Sequence, residues 1–421
     1  MKNTELLSIA ANYGTPTYVY DSDKVIEQYQ KLYNSFQPLD VKLHYAVKAL
    51  NNVNILRILK REGAGLDAVS INEIKLGLRA GFEPKKIMYT PNCVSFDEIQ
   101  EAVEFGVHIN LDNITMLEKF GHRYGNTVDC CIRINPHIMA GGNSNISVGH
   151  IDSKFGISIH QLRHITRVVE NYNINVIGLH MHTGSDILDA DVFLRGANLL
   201  YQAAENFPNI KFMDFGSGFK VPYKEGDMYT AVDQIGQKIR DSFTDFCESY
   251  GRKLELWFEP GKFIVSESGK FIVKTNVVKQ TTSTVFVGVN SGQNHLLRPM
   301  MYNAYHQIEN ISNTNGELKL YSVVGYICES DTFGHDRMLN EVREGDILSI
   351  SNAGAYGFSM SNQYNSRLRP AEVLIHNSKT HLIRKREIFE DLYQNEVEIA
   401  ELKDEKATTN ISDRTTTSNA G

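Results

Sequence analysis

The sequence predicts an α/β protein: a (β/α)8 barrel of the TIM type plus a C-terminal, mostly antiparallel β domain. Two observations predict it. Eight strand-like apolar runs alternate with amphipathic helical stretches up to Lys262, and beyond Lys262 strand-like runs continue with few helices between them. The eight runs are VKLHYAVKA (from residue 41), GLDAVS (65–70), KIMYTP (86–91), HINLD (108–112), CCIRINP (130–136), VIGLHMHTG (176–184), IKFMDFGSG (210–218) and LELWFEPG (254–261). Strands that alternate with helices of this size imply a parallel sheet. Eight of them over roughly 240 residues match a barrel in count and length. The helical stretches VNILRILKREG, INEIKLGLRAG and FDEIQEAVEFG each end on glycine, the residue that closes a helix most easily. An open doubly wound sheet would call for a glycine-rich turn after its first strand, but LNNVNI stands there.

The β domain is read from KFIVSESGKFIVKTNVVKQ, TVFVGV, KLYSVVGYI, DILSIS and AEVLIH, which favour strand. About 140 residues suffice for a core of its own. The strand-like TPTYVYD (15–21) precedes the barrel and is free to pair into this domain. The boundaries drawn are 22–262 for the barrel, 1–21 with 263–403 for the β domain, and 404–421 for a disordered tail. That tail, DEKATTNISDRTTTSNAG from 404, has too little apolar surface to order itself.

Composition narrows the function. The chain has 421 residues, 42% hydrophobic and 22% charged, with a net charge of −7. No basic stripe marks a nucleic-acid partner, and no run approaches the roughly 20 apolar residues that span a bilayer. MKNTELLSIAANYG has no secretory apolar core. The five cysteines (Cys93, Cys130, Cys131, Cys247 and Cys328) form no metal-spaced pair, and suit reduced thiols in a cytosol.

Barrel enzymes place their chemistry at the C-terminal ends of the strands. Alternation turns His44, Ala46 and Lys48 inward in the first strand, His180 and His182 in the sixth, and Trp257 and Glu259 in the eighth. Ile177, Leu179 and Met181 then face the helices. Each ionisable group alone reads as a rim charge or a hydrogen-bonded core residue; three strands aiming at one mouth read as a site. A lysine among apolar walls loses part of its preference for the charged form, as an amine nucleophile requires. Gly216 and Gly218, in GSGF at the end of the seventh strand, let backbone N–H groups approach an anion, and barrels often hold phosphate there. A lysine, a phosphate site and an inward carboxylate together describe pyridoxal 5′-phosphate. Asp67, Asp214 and Ser185 lie near the mouth without an assigned role at this level.

HYAVKA around Lys48, GLHMHTGSD, DFGSGF, EPGKFIV, LLRPMMYNAYH, ICES and NAGAYGFSM stand in that order. They resemble the diaminopimelate decarboxylases, of the fold-type-III, alanine-racemase-like pyridoxal phosphate group, from about residue 15 to 375. The resemblance implies the barrel-plus-β architecture and a homodimer with active sites at the interface. It implies Lys48 as the residue that holds the cofactor covalently, His182 stacked on its ring and Glu259 paired with its pyridine nitrogen. Gly216 and Gly218 resemble the phosphate loop, and Ser185, Gly261 and Tyr356 join the cofactor contacts. Arg298, Tyr302, Lys262 and Tyr356 resemble substrate contacts. Cys328 and Glu329 resemble a pair from the other subunit, the cysteine a proton donor and the glutamate a reader of the distal amine.

Two positions depart from the family pattern. Ser217 interrupts its three consecutive glycines. Lys262 stands for the arginine after EPG, a point charge instead of a two-pronged fork. The implied activity is decarboxylation of meso-2,6-diaminopimelate to L-lysine in the cytoplasm. The rivals are a decarboxylase of a carboxylated polyamine, a racemase, and a non-catalytic cofactor-binding homologue.

Overall fold

A computed structural model describes residues 1–138 and 153–402; the segment expected to be a disordered tail, 404–421, lies outside them. Strand β1 (Thr17–Asp21) comes first, followed by β2 (Val41–Ala46), β3 (Gly65–Ala68), β4 (Ile87–Tyr89), β5 (His108–Leu111) and β6 (Cys130–Asn135). Then come the two-residue β7 (Ile157–Ser158), β8 (Val176–His180), β9 (Phe212–Asp214) and β10 (Glu255–Phe258). All pairings among β2–β6 and β8–β10 are parallel. The ring closes because β2 pairs with both β3 and β10 while β5 pairs with β6. This is a (β/α)8 barrel, and each of the eight apolar runs supplies one strand. The helices between them are capped as their sequences require: Asn52, Ser70 and Ser95 accept backbone N–H groups at the starts of Val53–Arg61, Ile71–Ala80 and Phe96–Glu104. Gly81 closes the second of these in the left-handed conformation.

Alternation separates two apolar layers. Phe258 points outward and stacks on Phe36 at 4.4 Å, within a group that includes Phe193, Phe215 and Phe219 beneath the helices. Trp257 points inward, stacked on Phe212 at 3.7 Å and tilted against His44 at 4.2 Å, and packs with Met88, Cys131 and Ile177. Losing one such buried ring costs on the order of 3–5 kcal/mol. Gly178 is small of necessity, because a Cβ there would lie 2.1 Å from the Phe212 ring. Ile177 departs from expectation: it joins the inner group instead of facing the helices. The β6–β8 register shifts there, from Cys130↔Val176 to Cys131↔Gly178, and such an irregularity re-aims a side chain.

The second sheet contains β1, β11 (Gly269–Gln280), β12 (Val285–Val289), β13 (Ile308–Asn310), β14 (Leu318–Val324), β15 (Thr332–Asn340), β16 (Ile347–Ile350), β17 (Ala371–His376) and β18 (Lys379–Arg384). Strand β1 pairs antiparallel with β11 and parallel with β17. The sheet is mostly antiparallel, with β12–β14 the other parallel pair. One expected strand segment fails: Lys262–Val265 is a helical turn, and the strand begins only at Gly269. Three strands escaped the sequence reading. β18 is largely exposed and β15 half so, so neither shows an apolar run; β13 is too short for a pattern.

Two buried histidines make stability depend on pH. His295 and His306 are almost inaccessible; burial lowers the first to about 4 and the second to about 3. Both stay neutral in the folded chain while the unfolded chain protonates them near 6.5. Their contribution is therefore complete above about pH 6.5 and is lost as pH falls toward 4, by about 1.4 kcal/mol per pH unit for each group. We expect His306→Asn to flatten the dependence of unfolding free energy on pH between 6 and 5 by about that amount. Parallel pH dependences for variant and native chain would contradict this.

Candidate active site

A cavity of about 970 Å³ opens at the C-terminal ends of the barrel strands. Lys48, His182, Ser185, Gly218, Glu259, Gly261, Lys262, Arg298, Tyr302 and Tyr356 all line it. The chain brings them together from six segments: the turn after β2, the loops after β8, β9 and β10, and the segments around Arg298 and Tyr356. Lys48 is not on the strand itself, which ends at Ala46; a 3-10 turn, Val47–Ala49, carries it into the cavity. Cys328 and Glu329 do not line the cavity of their own chain. Both are exposed on the loop after β14, Glu329 bonded to Gln293 and to the Tyr364 hydroxyl.

Glu259 sits just beyond β10; its Oε2 meets His180 Nε2 at 3.0 Å and its Oε1 accepts from Thr90 Oγ1 at 3.3 Å. Burial alone would raise its pKa, but His180, through its contact at Oε2, and the Lys48 cation prevail and hold it well below the usual carboxylate range. Burial and the Glu259 charge push Asp67 and Asp214 well above that range. Three neighbouring carboxyl groups thus concentrate one negative charge on Glu259, since like charges in one site cannot all ionise. Burial also lowers His182 well below its usual value, aided by Arg133 and Lys48. Its ring is neutral, and its Nδ1 accepts the Ser217 N–H at 3.1 Å, which fixes the ring plane and leaves the proton on Nε2.

Lys48 departs from the expectation of apolar walls. Burial lowers its pKa, but Tyr356, Asp67 and Glu259 outweigh burial and the net direction is upward. Its amine is therefore a cation until it is covalently engaged. Alternation read the direction of the side chain but not the polar residues opposite it.

The loop after β9 is built for an anion. Gly216 (φ 63°) and Gly218 (φ 133°) adopt backbone conformations closed to most side chains. A Cβ on Gly216 would lie 2.6 Å from His182 Nδ1, and one on Gly218 2.5 Å from the Gly184 carbonyl. The carboxyl of Asp214 accepts the Gly216 N–H at 2.8 Å, tying the loop to the barrel floor. Across the cavity, Arg298 donates to the Tyr223 hydroxyl at 3.1 Å and lies over the Tyr223 and Tyr356 rings. Its Nε is buried without a hydrogen-bond partner, a vacancy that suits a ligand oxygen. Sequence reasoning missed Arg133, Thr90 and Tyr223 in the lining. Arg133 was within reach, since β6 alternation places it inward two residues after Cys131; Tyr223 stands on a loop without a pattern.

These features fit pyridoxal phosphate: an amine, a glycine cradle for the phosphate, a neutral ring to stack, and an ionised acid in one cavity. Residues 22–266 match the family model described as the pyridoxal-dependent decarboxylase, pyridoxal binding domain. A diaminopimelate decarboxylase of Methanothermobacter thermautotrophicus is 38% identical over 402 residues, covering 93% of this chain and 94% of that protein. The chain belongs to the diaminopimelate decarboxylase family. Among solved structures, the Helicobacter pylori family member complexed with L-lysine superposes with a TM-score of 0.86 at 32% identity, covering 92% of this chain and 98% of that one. The M. jannaschii member in co-complex with L-lysine gives 0.85 at 30%, covering 94% and 95%. A lysine/ornithine decarboxylase of Vibrio vulnificus, 22% identical with a TM-score of 0.78, shares the fold. As in the family, the cofactor is pyridoxal 5′-phosphate. Among the described residues, no helix is long and apolar enough to cross a membrane.

Proposed function

We propose that this protein decarboxylates meso-2,6-diaminopimelate to L-lysine and CO2, in the cytoplasm, as a homodimer. The observation that carries the substrate is the meeting in one cavity of Lys48 and Glu259 with two cations, Arg298 and Lys262. The first two serve the reacting end; the cations suit a second carboxylate at the far end. Ornithine has no such carboxylate, so it leaves Arg298 Nε without a partner and gains nothing from Lys262.

When bound, pyridoxal phosphate supplies the electron sink for the charge left as CO2 departs. The chain supplies the rest. Lys48 anchors the cofactor. Gly218 would present a backbone N–H group to the phosphate on a loop shaped by Gly216, and the ring of His182, oriented by Ser217, would pack against the cofactor. Glu259, held ionised, keeps a proton on the pyridine nitrogen. Arg298 and Tyr302 would bind and orient the substrate in the cavity. Cys328 of a second subunit then gives its thiol proton to the α-carbon, and that subunit's Glu329 pairs with the distal amine. The exposure of Cys328 and Glu329 outside their own cavity supports this exchange. So do the exposed Met300, Met301, Leu318, Leu320 and Met338 in the same domain, apolar surface of the kind an interface covers.

The test is lysine formation by purified protein given pyridoxal phosphate and meso-diaminopimelate, with ornithine alongside. We expect discrimination on the order of 10⁴-fold, because a site built around charged partners rejects the analogue that lacks them. Equal turnover of ornithine would remove the substrate argument. A lysine-bound cofactor without diaminopimelate turnover would direct the search to carboxylated polyamines.

A further inference from the structure

The side chain of Lys262 is only 10% exposed, and its amine is already occupied. It forms an ion pair with the Asp186 carboxylate and donates to Ser185 Oγ at 2.8 Å. All three residues line the cavity that holds Lys48 and Arg298. Asp186 takes up a positive φ of 61°, uncommon for a residue with a Cβ and often a mark of a functional position. Its loop is tied down on the next residue, where the Ile187 N–H donates to the Gly218 carbonyl at 2.8 Å. Asp186 is thus an anion held on the wall of a cavity whose substrate needs cations.

We infer that Asp186 and Lys262 form a charge-paired clamp for the zwitterionic amino-acid head at the far end of the substrate. This inference rests on the diaminopimelate reading above. That far end carries one carboxylate and one ammonium group, and it passes unchanged into the product. On binding, the Asp186–Lys262 pair opens: the substrate carboxylate meets Lys262, and the substrate ammonium meets Asp186 beside the partner subunit's Glu329. No charge is left unpaired. A ligand with the carboxylate alone strands Asp186, and one with the ammonium alone strands Lys262; either loses a charge-assisted hydrogen bond inside the site. A lone Lys262 would select for a carboxylate only. The pair selects for both groups together, and so makes Asp186 a specificity residue within the same chain. A rim ion pair that merely braces the loop would be worth little and would show no preference between ligands.

L-lysine and 6-aminohexanoate separate these cases, since they differ only in the α-ammonium group. Titration calorimetry of the holoenzyme should give L-lysine an affinity about tenfold or more above that of 6-aminohexanoate. In Asp186→Asn the gap should narrow by loss of L-lysine affinity, with 6-aminohexanoate unchanged or tighter because Lys262 is released. Asp186→Glu should restore part of the gap. In turnover the Asp186→Asn effect should fall on KM for diaminopimelate more than on kcat. A gap of unchanged size in Asp186→Asn, or equal weakening of both ligands, overturns the clamp while leaving diaminopimelate turnover by the native enzyme intact. A native holoenzyme that neither binds L-lysine nor turns over diaminopimelate overturns the substrate reading and the clamp with it.

Discussion

Replacing Lys48 with alanine is expected to lower decarboxylation by on the order of 10⁴-fold or more, the loss typical of a residue that makes the covalent bond of a mechanism. The visible absorption of the lysine-bound cofactor should vanish in the same variant. The position makes the test clean. Lys48 stands on a 3-10 turn after β2, with its side chain reached by solvent through the cavity, so its removal opens no hole in the core. The melting temperature should therefore stay close to that of the native apoprotein. One electrostatic consequence is separable. Removing the cation takes away one of the groups that hold Glu259 ionised, so the Glu259 pKa should rise. Lys48→Arg keeps a cation there but has no amine suited to the bond. If the arginine variant is as inactive as the alanine variant, the covalent role of Lys48 is upheld over a purely electrostatic one. Substantial turnover by either variant, or a persistent lysine-bound band, would remove Lys48 from the mechanism.

The barrel was legible because the strand runs are predominantly apolar and alternate with amphipathic helical stretches, so local pattern and tertiary structure demand the same thing. The site was legible where alternation applies. Lys48, His182 and Glu259 lie one or two residues past their strand ends, and the strand's direction still decides where they point. Legibility failed where tertiary context decides. The register shift in β8 that turns Ile177 inward has no local signal. Lys262–Val265 reads as strand from its β-branched and aromatic residues, but follows a Pro-Gly turn that starts a helical turn instead. The charge state of Lys48 depends on Asp67 and Tyr356, distant in sequence, and no pattern around Lys48 announces them. Likewise Asp186 lies 76 residues from Lys262; only the fold brings these two side chains into contact, and with them the reading of the substrate's far end.

Glu259→Gln is the second large effect, and it tests the acid separately from the anchor. The amide has the shape of the carboxylate, can still accept from His180 Nε2, and can turn its N–H toward Thr90, so packing is preserved. It cannot carry the negative charge that holds a proton on the pyridine nitrogen. Chemistry should slow by about 10²- to 10³-fold in kcat, the usual cost of losing one preorganised charge partner in the transition state. Cofactor binding should survive, because Lys48 and the Gly216–Gly218 loop are untouched. Asp67 and Asp214 should respond as well: each is pushed up first by burial and next by the Glu259 charge, so neutralising Glu259 lets both fall. If Asp214, nearest the floor through its bond to the Gly216 N–H, ionises in its place, part of the electron sink is restored at higher pH. The variant's kcat would then climb with pH where the native enzyme's is flat. An unchanged kcat, or loss of cofactor without loss of turnover per bound cofactor, would show that Glu259 serves the fold and not the reaction.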